Sequence, residues 1–242
     1  MTENNTKTNF LKNVYHFLIL LISMAGFVPK NATINRTIAI LTSLVFGVYL
    51  NSYQPDNSML AISYFLLCEI FYLGFITIVL SKNGLRRWFI SKWNGEKDGY
   101  LAFEAILGFL FFHNGLSIGY IASATPDSLF DFMNKDLLLI IVTILFISGF
   151  TIKILAAKAV TIEIYYWKDM FLGRKISDFV ISGPYKYINN PMYGVGQLQA
   201  YAIAIWYGSK YGLMAALLNQ LLIFSFYFLV EKKFIKRIYQ KI

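Results

Sequence analysis

Charge is scarce in this chain. Of its 242 residues, 14% are Asp, Glu, Lys or Arg while 57% are hydrophobic. Cysteine is scarcer still: Cys68 stands alone, which excludes an internal disulfide and any cysteine-based metal site. Of the two histidines, His113 has no ligand partners at metal spacing. Internal repeats are lacking, and the only biased stretch is the Asn/Thr-rich tail at residues 1–9. Gly194-Val195-Gly196 has no third glycine and follows no strand, which excludes a dinucleotide fingerprint. Those glycines suit the close approach of a ligand or a neighbouring helix. The net charge of +9 carries no sign of nucleic-acid recognition. Basic residues at a membrane surface attract anionic headgroups by roughly 1 kcal/mol each, which accounts for it.

What the sequence has in plenty is long apolar runs. Seven can be counted, over residues 11–28, 34–50, 59–80, 100–121, 137–157, 192–207 and 213–230. A helix needs about 20 apolar residues to cross a bilayer, and the first, second and sixth runs are short or interrupted. The expectation is an all-α, polytopic integral membrane helix bundle of about seven spans. Reading residues 11–25 as a cleaved signal peptide conflicts with the long polar lead-in.

The sites of Lys and Arg orient the runs. They gather at Lys30 and Arg36, at Lys82 to Lys97, at Lys168 to Lys186, and at Lys232 to Lys241. The alternate loops hold only Lys135 and Lys210, against Asp56, Asp127, Asp131 and Asp136. With basic loops inside, the C-terminus is expected in the cytoplasm.

Organisation is uneven along the chain. Residues 1–158 read as an N-terminal tail and scaffold spans, punctuated by turns at Pro29, Pro55 and Pro126. Residues 159–242 read as an interfacial helix followed by a C-terminal hairpin, within one structural domain. The interfacial segment, 160–171, mixes Glu163, Tyr165, Tyr166, Trp167, Lys168 and Asp169 and is too polar to span. Asn190-Pro191 is a helix-start signal, because Asn accepts a backbone N–H as N-cap and Pro has none to lose at the first helical position. A helix from Asn190, returning through 213–230, would bring Asn190 and Glu231 together at the open end of a hairpin.

At these residues the chain resembles a known family. Gly183-Pro184-Tyr185, then Asn189-Asn190-Pro191-Met192-Tyr193-Gly194, then Glu231-Lys232 about forty residues on, is similar to the C-terminal pattern of the membrane phospholipid N-methyltransferases, which are related to the isoprenylcysteine carboxyl methyltransferases. The resemblance covers 182–239. Asn189-Asn190 stands where many relatives have Arg-His, Lys232 replaces a second Glu, and Gly149-Phe150-Thr151 lacks the second glycine of an earlier motif.

The resemblance implies transfer of a methyl group from S-adenosylmethionine to the amine of a phospholipid headgroup, phosphatidylethanolamine or a methylated derivative. It assigns the cofactor to Tyr185, Asn189, Asn190, Pro191, Tyr193, Gly194, Gly196 and Glu231. A carboxylate at Glu231 complements an ammonium, and N–H donors at the Asn190 turn complement a carboxylate. Tyr165, Tyr166 and Trp167 would face the cationic headgroup through their rings, and Lys186 its phosphate. No catalytic base is called for by the sequence. A methyltransferase for another membrane-partitioned acceptor, such as an isoprenylated cysteine carboxylate, remains open. So does a non-catalytic membrane carrier, in which the intramembrane Glu69, Glu104 and His113 would form a polar path. Asn219, Gln220, Gln197 and Gln199 read as interhelical hydrogen-bonding groups.

Overall fold

The computed structural model describes residues 2–129 and 135–239. Asp131 and Lys241, part of the charge pattern above, lie outside them. Ten α-helices are present among the described residues, and no strand. They are α1 (Thr2–Met24), α2 (Ile34–Tyr53), α3 (Ser58–Leu80), α4 (Arg86–Lys92), α5 (Glu96–Ser123), α6 (Lys135–Tyr165), α7 (Lys168–Leu172), α8 (Leu198–Trp206), α9 (Lys210–Phe226) and α10 (Lys232–Ile238).

Local chemistry fixes several starts. The Thr33 hydroxyl accepts from the Arg36 N–H, the Asn57 amide oxygen from Leu60 at 3.0 Å, and the Ser209 hydroxyl from Gly212 at 2.8 Å. Each satisfies an N–H that the first turn of a helix leaves without a partner.

Five helical stretches are long and apolar enough to cross a membrane: Ile34–Tyr53, Ser58–Leu80, Glu96–Ser123, Lys135–Leu172 and Lys210–Ile238. The chain is an integral membrane protein, and the exposed apolar side chains on α2, α3 and α6, such as Val45, Ile70 and Ile144, form lipid-facing stripes. Five of the seven expected runs fall in these stretches; the first lies within α1, whose apolar part is Phe10–Met24, and the sixth yields the nine residues of α8. The expected helix start at Asn190 is overturned. Residues 183–197 form two short 3-10 turns joined by bends, and regular helix begins at Leu198.

Packing relies on small residues and aromatic rings, since between lipid-embedded helices close van der Waals contact replaces the hydrophobic effect. A side-chain carbon on Gly149 of α6 would lie 2.6 Å from the Gln199 backbone nitrogen of α8. One on Gly108 of α5 would lie 2.1 Å from the Gly26 carbonyl oxygen just beyond α1. Near the α5 start, Phe103 stacks on Phe171 at 5.0 Å, with Phe75 and Phe89 against them.

The intramembrane polar groups have separate partners. Glu69 accepts from Asn114 at 2.8 Å and Asn219 at 2.7 Å, joining α3, α5 and α9. Glu104 is bridged by Arg36 at 3.0 Å and Asn31 at 2.7 Å. His113 bonds with Tyr64 at 2.6 Å and Ser43 at 2.9 Å.

Candidate active site

The expected interfacial segment at 160–171 forms a folded corner with a buried face. Helix α6 runs past the apolar core to Tyr165 but breaks at Thr161, whose φ of 69° and ψ of 158° are not helical. Two turns on, Trp167 adopts the left-handed conformation at φ 51°. Neither a β-branched nor a bulky aromatic residue favours positive φ, and each such position costs about 1–3 kcal/mol. The corner is held from outside. The Tyr166 hydroxyl donates to the Ser23 carbonyl at 2.7 Å and that of Tyr165 to Met24 at 3.4 Å, both at the end of α1. The loop after α7 is tied to α5 by the bidentate pair of Arg174 with Glu96, at 2.7 and 2.6 Å.

The 190–197 turn faces this corner. Gly194 N–H bonds to the Asn190 carbonyl at 2.9 Å and Gly196 N–H to that of Pro191 at 2.8 Å. The Gln220 amide of α9 donates to the Tyr193 and Gly194 carbonyls at 2.9 and 3.2 Å, and is itself oriented by the Tyr201 hydroxyl at 2.7 Å. Those carbonyls therefore point at α9 instead of along a helix axis, which is why the Asn190-Pro191 signal does not become a helix start.

Glu231 reaches the same space from the other side. After α9 the backbone passes through a π-helical turn, Tyr227–Glu231, in which the Lys232 N–H reaches back to the Tyr227 carbonyl. Such turns carry one extra residue and recur at functional sites. The half-buried Glu231 carboxylate accepts from the Tyr193 hydroxyl at 2.8 Å, and the Trp167 indole approaches it as well.

Between corner, turn and π-helix lies a cavity of about 440 Å³. Ligand pockets run from about 300 to 1,000 Å³, so it is of a size to hold one small molecule. Of the residues assigned from the sequence, Tyr185, Asn189, Asn190, Pro191, Tyr193, Glu231, Tyr165 and Trp167 line it. Four do not. Gly194 and Gly196 lie behind the turn, where a side chain on Gly196 would meet the Pro191 carbonyl at 3.0 Å. Tyr166 is directed away, to Ser23. Lys186 is exposed, its ammonium 5.5 Å from the Tyr187 ring centre.

Burial, and then the nearby Glu231 charge, push the Tyr185 phenol above its ordinary value, so it stays protonated and available as a donor. Asp169, Tyr227 and Tyr239 also line the cavity and were not picked out from the sequence. The Asp169 carboxylate accepts from the Met170 N–H and the Tyr239 hydroxyl, both at 2.8 Å. Burial, then the Asp169 charge, raise the Tyr239 phenol. The only signal for Asp169 was an acid among aromatic residues, which reads equally as a solvated interfacial charge.

This arrangement offers carboxylates, two lysines, phenol and amide donors and aromatic residues around one cavity, a set suited to a zwitterionic organic ligand.

Residues 137–242, which contain every cavity-lining group, match the phospholipid methyltransferase family. The chain is 29% identical over 97 residues to the phosphatidylethanolamine N-methyltransferase of Eremothecium gossypii, an alignment covering 40% of this chain and 12% of that relative. The chain thus corresponds to a small part of that curated protein's length. No solved structure matches it.

Proposed function

We propose that this protein, similar over 137–242 to the phospholipid methyltransferases, transfers a methyl group from S-adenosylmethionine to the amine of a phospholipid headgroup, phosphatidylethanolamine or a methylated derivative. The observation that carries the reading is the meeting of Tyr193 and Glu231 across 2.8 Å at one cavity, from two segments 38 residues apart that the family pattern pairs.

The cavity residues fit the donor. Glu231 would hold its ammonium or a ribose hydroxyl, and the Asn189 and Asn190 amides with the protonated Tyr185 phenol would hold its carboxylate. S-adenosylmethionine, when bound, supplies a methyl group on a sulfonium. The protein's own part is chiefly positional. Methyl transfer to nitrogen is an in-line displacement, accelerated chiefly by holding two reactants aligned in a water-poor enclosure. Tyr165 and Trp167 wall that enclosure and offer ring faces to a cationic headgroup. Residues 1–158 serve as scaffold and 159–242 as the methyl-transfer unit, with the C-terminus in the cytoplasm.

The test is purified full-length protein in lipid nanodiscs containing phosphatidylethanolamine, given S-adenosylmethionine labelled in the methyl group. Label in mono-, di- or trimethylated headgroups is the expected result. Absence of label in lipid, with the donor bound, would assign another acceptor; absence of donor binding would overturn the enzyme reading itself.

A further inference from the structure

Besides Glu231 the cavity is lined by two carboxylates, the exposed Asp178, paired with Lys175, and the buried Asp169. Asp169 is 6% exposed and lines the same cavity as Glu231. Among the described residues neither forms an ion pair with a lysine or arginine, although Lys232 and Lys236 also line the cavity. Withdrawing a carboxylate from water without a paired counter-charge costs several kcal/mol, so Asp169 and Glu231, neither of them ion-paired, each favour a cation seated directly against them. The reaction brings two cationic centres that need a place: the donor's amino-acid end and the acceptor's ammonium. Glu231, beside the family turn, is matched to the first.

Asp169 is prepared for the second. One oxygen accepts from Met170 N–H and the other from Tyr239 hydroxyl, which fixes the group and leaves each oxygen a free lone pair. Its neighbours Tyr165 and Trp167 line the same space. We propose that Asp169 is the catalytic residue for the acceptor, binding the headgroup ammonium and taking one of its protons. The inference rests on the methyl-transfer reading given above. In the step, an N–H bond breaks, its proton joins an Asp169 oxygen, and the electron pair stays on nitrogen. That pair then forms the N–CH₃ bond as the C–S bond breaks, its electrons going to sulfur. The products are a neutral thioether, a methylated ammonium and a protonated Asp169.

Asp169→Asn tests this, since the amide still accepts from Met170 and meets the Tyr239 oxygen but carries no charge and takes no proton. In phosphatidylethanolamine nanodiscs, turnover should fall by about 100-fold or more. Affinity for S-adenosylmethionine, read by calorimetry, should stay within about threefold on the same affinity scale. A purely structural cap would leave both unchanged, and methyl transfer at the wild-type rate by Asp169→Asn overturns the proposal. Donor affinity falling in parallel with turnover overturns it too, by moving Asp169 to the donor. If Asp169→Asn does not fold, Tyr239→Phe decides. It removes one hydrogen bond from Asp169 and should raise the lipid KM roughly three- to tenfold at unchanged donor affinity; an unchanged KM overturns the proposal. A wild-type protein that binds donor but methylates no lipid amine would instead sink the functional reading, whatever the variants do.

Discussion

Replacing Glu231 with Gln removes a charge while keeping the side chain's length and its ability to accept from Tyr193. If Glu231 holds the donor's ammonium, the loss is that of one charge-assisted hydrogen bond. Such bonds contribute about 1.5–3 kcal/mol, against about 0.5–1.5 kcal/mol for a neutral one. A loss near 1.5–3 kcal/mol corresponds to roughly 10- to 150-fold in Kd. Isothermal calorimetry of S-adenosylmethionine into Glu231→Gln in nanodiscs reads this directly, and thermal unfolding checks that the fold is intact. Tyr193→Phe adds a second handle, because its hydroxyl orients the Glu231 carboxylate at 2.8 Å. In a double-mutant cycle the two substitutions should couple by about 0.5–3 kcal/mol, as groups in one hydrogen-bond network do. Donor affinity in Glu231→Gln within about twofold of wild type, a difference too small for a lost charged bond, would refute the reasoning. Additive effects of the pair would refute the part played by Tyr193.

Three further outcomes follow from the packing. Asn219→Leu strips one of the two amides from buried Glu69 and should lower the stability of the bundle by about 1–3 kcal/mol, seen as a lower Tm, without a direct effect on donor affinity. Gly149→Leu drives a side chain into the Gln199 backbone of α8, an overpacking worth about 1–3 kcal/mol or more, and should lower Tm together with donor binding because α8 follows the 190–197 turn. Tyr166→Phe removes the bond to the Ser23 carbonyl and should cost about 0.5–1.5 kcal/mol of stability with lipid KM unchanged; a raised KM would return Tyr166 to the substrate wall.

Composition alone reveals the fold class, because no water-soluble core accounts for runs of such length with so little charge. The cavity wall was legible wherever sequence neighbours do the work: Tyr185, Asn189, Asn190 and Tyr193 lie close together in one irregular segment, and Glu231 follows an unmistakable apolar run. What a linear reading misses depends on groups far away in the chain. The Asn190-Pro191 pair is equally good chemistry for a helix start and for a bend, and the choice is made by Gln220, which claims the carbonyls of Tyr193 and Gly194 from α9. Tyr166 reads as a boundary aromatic because its partner, Ser23, lies 143 residues earlier. Asp169 reads as a solvated charge because its burial depends on Tyr239, 70 residues later. The break at Thr161 carries no signal, since neither glycine nor proline marks it.

The π-helical turn at Tyr227–Glu231 bears on how such a pocket can arise. An α-helix advances 100° per residue, so one surplus residue there sets the azimuth of everything beyond it. Without the surplus, α9 would run on as a regular rod, and Glu231 would swing off the cavity by more than a quarter of a revolution. Presence or absence of a carboxylate at this point of the cavity thus hangs on a single surplus residue.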